Sequence, residues 1–465
     1  MSSPVLTADN AVAAQAFDAA VNSILAHRAD APVHLAAALA ADPALAIAHA
    51  LAGFLAMLQA RREAADSAAG SLSAARRAIA ARGGSLREHA FVAALAAWLE
   101  DGDMIASAGL LEHHLLAEPR DAAAIKLAHG VRFMLGDAVG MRFALERALP
   151  AWDEDTPGHA FILGCHAFAL EETGDRRSAE RVGRLAVARE PADLWGTHAV
   201  AHVLEGEGRA RDGIAWLATA EARLPEAGNF ARHLFWHRAL FHLHLGETDA
   251  ALALYDSRVR EVPTEDFRDA ANAASLLWRL ASQGVRVGDA RWQELADFAE
   301  RRIGDHSLAF ADLHYVLSLA AAGRRTALAA FLSGMRGRAL RDTDTQARVI
   351  ATAGLAVARA VAAAIGGEHA EAADLFATVR PGLQRLGGSH AQRDVFERMD
   401  VDAAIAAGRG RAAADLLAHR ATRRAPGAWE ADRVGRLGLQ PLLAVSAQHR
   451  AAAPRPALPA PTHWR

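Results

Sequence analysis

One cysteine, Cys165, one lysine, Lys126, and two tyrosines are all that a chain of 465 residues holds of these three types. A lone cysteine excludes an internal disulfide and any multi-cysteine zinc or iron–sulfur site, and it fits a reducing cytoplasm. With a single lysine among 51 basic residues, most Schiff-base and phosphate-loop lysine chemistry is removed; genomic base composition is the bland cause of that bias. Charge of one sign is also missing. The formal net charge is −3 with both signs interspersed, which leaves no electrostatic footprint for nucleic acid or an anionic membrane. The amino terminus, MSSPVLTADNAV, has no basic segment followed by an apolar core, and no window offers about 18 uninterrupted apolar residues. The expectation is a cytoplasmic protein that is neither exported nor membrane-bound. No GxSxG, HExxH, GxxxxGK or strand-linked GxGxxG is present, so nucleophile-elbow hydrolases, zincins, P-loop enzymes and Rossmann dehydrogenases lose support.

What is present is alanine. Hydrophobic residues make up 52% of the chain, alanine foremost, and β-branched runs are scarce. Alanine is the best helix former and lets helices approach closely, so the composition predicts packed helices. The length exceeds what one compact core sustains, which favours an elongated repeat array.

Three segments share their punctuation. Ala167, Ala179 and Pro191 stand twelve apart, as do Ala201, Gly213 and Pro225, and again Ala239, Ala251 and Pro263. This is the small–small–proline skeleton of tetratricopeptide hairpins, with small residues where two helices cross and a proline ending the second. Gly174-Asp175, Gly208-Arg209 and Gly246-Glu247 each mark the intervening turn. The clearest hairpins are thus 160–193, 194–231 and 232–265, the last preceded by a longer loop at 225–229. Weaker copies occur at 88–119 and around Gly323, Gly367 and Gly408. The predicted fold is all-α: a tetratricopeptide-like α-solenoid of antiparallel helical hairpins over 1–445, with linkers at 64–72 and 83–86 and a proline-rich, disordered tail at 446–465.

In such hairpins the first helix lines the concave surface through its positions 2, 5, 6, 9 and 12. The first hairpin then offers Phe161, Gly164, Cys165, Phe168 and Glu171. The second offers Trp195, His198, Ala199, His202 and Glu205, and the third His233, Trp236, His237 and Leu240. His198, His202 and Glu205 share one stripe, and His233 and His237 repeat the spacing on the next helix. A His-x3-His pair with a nearby carboxylate can hold a divalent ion such as zinc, iron or manganese. It can equally be a metal-free polar pocket or satisfied structural histidines, and the sequence fixes no cofactor. Cys165, without an assignable cationic neighbour, reads as a small buried hydrophobe rather than a nucleophile.

At WGTHAVAHVLEGEGR (195–209), HLFWHRALFHLHLGETDAALALYD (233–256) and GGSHAQRDVFERMDVDAA (387–404), the chain resembles the tetratricopeptide repeat protein 38 family, from the amino terminus to about residue 440. The resemblance implies a cytoplasmic helical fold and supplies no chemistry. It is densest around His198, His202, Trp236, His237 and the run Gln392-Arg393-Asp394. Arg393 and Asp394, adjacent on a helix, would point different ways and bind a ligand or brace the carboxy-terminal repeats. His314, in FADLHYVL, is a further groove candidate or else a core histidine.

Two functions follow. The first is a binding protein whose groove holds a peptide or small polar ligand through His198, His202, Glu205, His233, Trp236, His237, His314, Arg393 and Asp394. The second is a metal-assisted or histidine-based hydrolase or lyase for a small metabolite, with His198, His202 and His237 as ligands. A scaffold acting through homodimerisation is a third. An open groove would favour the peptide, a closed pocket the enzyme.

Overall fold

A computed structural model describes residues 7–439. The predicted tail at 446–465 lies outside the described residues. Among those described there are twenty-four α-helices and no strand, so the chain is all-α. The helices run as successive hairpins: α1 (Ala11–Leu25) with α2 (Ala31–Ala41), α3 (Ala46–Met57) with α4 (Arg62–Arg82), α5 (Leu86–Leu99) with α6 (Met104–Ala117), and α7 (Ala122–Met134) with α8 (Ala138–Ala148). Then come α9 (His159–Glu172) with α10 (Arg176–Arg189), α11 (Leu194–Gly206) with α12 (Ala210–Ala218), and α13 (Asn229–His244) with α14 (Thr248–Leu254). These are followed by α15 (Phe267–Ser282) with α16 (Asp289–Arg301) and α17 (Ala309–Ala321) with α18 (Arg325–Arg341). Next, α19 (Thr345–Val349) passes through one π turn at Ile350–Gly354 into α20 (Leu355–Gly366), which pairs with α21 (His369–Val379). The last are α22 (His390–Ala406) with α23 (Gly410–Arg423), and α24 (Ala428–Arg436).

The punctuation has a local cause. Gly174 takes φ +90 and ends α9, and Asp175 then caps α10 by accepting from the Ser178 amide. The small positions let neighbouring hairpins nest. A Cβ on Gly213 would stand 2.2 Å from the Phe241 ring, so the ring of α13 lies flat against α12 only because that position has no side chain. Gly213→Ala is therefore expected to cost about 1–3 kcal/mol by overpacking, read as a fall in denaturation midpoint at unchanged slope. A loss under half of that would mean the two helices separate freely.

One expectation needs correction. Residues 64–72 are not a linker, because α4 runs unbroken across them. Ala64, Ala68, Leu72 and Ala75 are all buried at helical spacing, and the Ser71 hydroxyl turns back to the Ser67 carbonyl at 3.0 Å. Packing of that alanine stripe overrides the glycine and serine signals. The continuous helix Thr345–Gly366 is long and apolar enough to cross a membrane by length and composition, and Arg348 and Arg359 leave no uninterrupted apolar run of 18 residues in it. It packs against α17, α18 and α21.

The superhelix closes on itself. The Thr345 amide donates to the Gly102 carbonyl at 3.0 Å, the Gly388 amide to Phe133 at 3.2 Å, and the Ala425 amide to Gly206 at 2.9 Å. Arg302 reaches Glu63 at 2.7 Å. At one seam Gly136 has φ +67, and a Cβ there would lie 1.7 Å from the Gln384 carbonyl oxygen, so two backbones meet where only glycine fits. The concave groove of a solenoid is thereby narrowed to a cavity that Phe310, Gly388 and Gln392 help to line.

Candidate functional site: a four-histidine cluster beside a cavity

Helices α11 and α13 pack side by side and present His198 and His202 towards His233 and His237. His202 Nε2 and His233 Nε2 lie 2.9 Å and 3.0 Å from His198 Nε2. One nitrogen from each of the four rings lies within 4.8 Å of the others. The opposite edges of three rings are held. His237 Nδ1–H donates to Glu205 Oε2 at 3.3 Å and His233 Nδ1–H to Asn272 Oδ1 at 3.2 Å, while His202 Nδ1 stands 3.5 Å from Glu171 Oε2. A carboxylate can only accept, so Glu205 fixes the tautomer that leaves the Nε2 lone pair of His237 free.

These nitrogens cannot satisfy one another. A ring nitrogen carries one proton or one lone pair and so makes one good hydrogen bond, yet His198 Nε2 faces two imidazole nitrogens. His237 Nε2 and His198 Nδ1 are buried with no hydrogen-bond partner. Burial, followed by the repulsion of the neighbouring rings, holds His198 and His233 well below the ordinary histidine value. Burial also brings His237 down to about 4, against the opposing pull of Glu205. Neutral imidazoles converging on a point and oriented from behind by carboxylate or amide oxygen are the donor set of a divalent metal site.

A second group adjoins it. Glu171, Glu172, His202 and His390 also bring ligand atoms within 4.8 Å of one another, with His202 common to both groups. His390 Nε2–H donates to Glu171 at 2.8 Å. Burial alone would lower His390, but the charges of Glu171 and Glu172 outweigh it and push the ring up to about 9. Glu171 had surfaced as a groove position. Glu172 and His390 had not, since His390 comes from α22, more than 180 residues along the chain; its presence in the segment GGSHAQRD was the only signal.

The cavity occupies about 420 Å³ and is bordered by His198 and His233 with Trp195, Phe230, Phe133 and Phe310. His202 and His237 sit one layer behind, among the first-named pair's partners. Glu205 does not reach the cavity. It pairs with His237 and with Arg424 at 2.6 Å, and these outweigh its burial to hold the carboxyl well below the usual range. Trp236 is likewise off the wall: its indole is fully buried and donates to Ser275 Oγ at 3.1 Å under the Arg279 guanidinium. His314 is a core histidine, donating from Nδ1 to the Phe310 carbonyl at 2.8 Å and packed on Phe396.

Arg393 and Asp394 diverge as adjacent helical residues must. Arg393 donates to the carbonyls of Gly387 and Gly388 and lies 3.5 Å from Glu172. Asp394 meets Arg424 at 2.5 Å, Arg398 and Arg420 each at 2.6 Å, and Arg279 at 3.7 Å. Both brace the closure. Cys165 has a cationic neighbour after all, Lys126 Nζ at 3.8 Å, but it is fully buried and burial pushes the thiol up, which opposes nucleophilic use.

No family model matches the chain. Among solved structures, it is similar to a chain in the structure of Naa15/Naa10 bound to HypK-THB, at 13% identity over 95% of this chain and 73% of that one. The TM-score is 0.18, too low to bear on fold or function.

Proposed function

We propose that this chain belongs to the tetratricopeptide repeat protein 38 family and is a metal-dependent enzyme of the hydrolase or lyase class acting on a small molecule held in the cavity. The convergence of four imidazoles, with His237 and His233 oriented from behind by Glu205 and Asn272, carries this reading. His198, His202, His233 and His237 would hold a divalent ion. Such an ion supplies a polarised substrate oxygen and an activated water. The protein's part is to bind and orient. Glu205 keeps the His237 proton on Nδ1, Trp195 and Phe230 pack on the His198 ring, and the cavity that His198 borders would hold the substrate beside it.

Protein purified without a histidine tag is expected to carry about one divalent ion per chain, bound by His198 and its neighbours. His198→Ala should lose it, as should dialysis against a chelator, and both should abolish turnover of small ester, amide or lactone substrates. Wild-type protein containing under about a tenth of an ion per chain after metal-replete expression would overturn the reading.

A further inference from the structure

The lone lysine stands in the cavity wall. Lys126 lies on α7 with His129 three residues on, so both side chains leave the same helix face. Its Nζ donates to His27 Nε2 at 2.9 Å and sits 4.8 Å from the centre of the Trp195 ring. His27 is itself held in an unusual backbone conformation, φ +56, with its ring stacked on both Trp195 and Phe230, which also touch each other. Burial and the adjacent Lys126 charge keep His27 neutral, so this bond leaves the ammonium charge uncompensated.

Among the described residues no aspartate or glutamate borders the cavity. The two arginines that do are already neutralised: Arg28 meets Asp30 at 2.7 Å and Glu226 at 2.9 Å, and Arg268 meets Asp266 at 2.5 Å. Among the described residues no carboxylate comes within 4.0 Å of Lys126. Asp193, which feels its charge, is occupied as the cap of α11 through the Gly196 amide, and burial pushes it up to about 7. Beside Lys126, His129 is 4% exposed, and neither of its ring nitrogens has a hydrogen-bond partner. An unpaired cation and an orphaned imidazole in a wall otherwise built of Phe133, Phe267 and Phe310 lack one thing, an anion with an apolar body.

We propose that the cavity binds an amphiphilic monoanion, a carboxylate whose head group pairs with Lys126 and accepts from the His129 ring N–H while its apolar body lies among the phenylalanine rings. One ammonium, without an arginine fork, matches a single negative charge rather than a phosphate dianion. Trp195 adjoins both this head-group position and the histidine cluster: its ring is 4.8 Å from Lys126 Nζ and 4.9 Å from the His198 ring. A ligand anchored at Lys126 lies in the same cavity that His198 borders. That the ligand is also the substrate rests on the metal reading; the binding of a carboxylate does not.

The experiment compares decanoate, decanol and decyl phosphate by calorimetry at pH 7.5 on the full-length protein, with metal content measured on the same samples. Decanoate is expected to bind wild type about tenfold more tightly than decanol, and Lys126→Met to erase that preference while metal content stays at the wild-type value. Lys126→Arg should retain the preference. Equal binding of decanoate and decanol by wild type would overturn the proposal without any variant having to fold. So would a preference that persists in Lys126→Met, or tighter binding of decyl phosphate than of decanoate. Carboxylate preference in protein that holds no metal would leave this inference standing and remove the proposed enzyme function.

Discussion

Asp394→Ala is expected to lower the free energy of unfolding by about 3–5 kcal/mol. The carboxylate is 2% exposed and meets four guanidinium groups, from Arg279, Arg398, Arg420 and Arg424. Deleting it leaves those charges buried with too few partners, and it detaches Arg424, which also holds Glu205. The same group makes the fold acid-sensitive. Burial would raise its carboxyl, but the four arginines outweigh burial and hold it well below the usual aspartate range. A depressed folded value means that the stabilisation is fully present above the unfolded value and is lost as pH falls through the folded one. Denaturant titrations from pH 7 down to pH 2 check both statements: wild type should weaken steeply below about pH 4, and Asp394→Asn should show a flatter profile from a lower start. A loss under about 1 kcal/mol for Asp394→Ala would show that Arg398 and Arg420 are adequately served by Glu397 and Glu430, and Arg424 by Glu205.

Glu205→Gln is expected to weaken divalent-metal binding by about 10–100-fold while leaving the helical content unchanged. Glutamine keeps the shape and one acceptor oxygen but loses the charge that makes His237 a stronger donor to a metal. Chelator competition on wild type and variant, with circular dichroism as a control for folding, measures it. An affinity within twofold of wild type would mean that Glu205 serves only its ion pair with Arg424 and that His237 is oriented by packing.

Much of this was legible because repeats carry their own register. The twelve-residue spacing of Ala167, Ala179 and Pro191 located helices that begin and end within a few residues of the expected places, and the four-residue spacing of His198 and His202 placed both on one face. Facing direction is harder to read. Trp236 occupies a position that lines the groove of an open solenoid, yet here α15 covers that side and supplies Ser275 and Arg279 as its partners. Lys126, His129 and His390 were out of reach for a different reason. Their relation to the histidine cluster is created where α7 and α22 approach α11, and no local pattern encodes the meeting of segments so distant along the chain. The alanine stripe of α4 shows the opposite failure, in which a helix hides behind residues that usually signal a loop.

The seams at Gly102, Phe133–Gly136 and Gly206 have a consequence for how such a chain can change over time. An open solenoid can gain or lose a hairpin in its middle at the cost of one interface, because each repeat answers only to its neighbours. Here the two ends must arrive together. One inserted or deleted hairpin would carry Thr345, Gly388 and Ala425 away from their partners at once, so the number of repeats is counted by the ring itself, and sequence drift is confined to substitution within a fixed length of circuit.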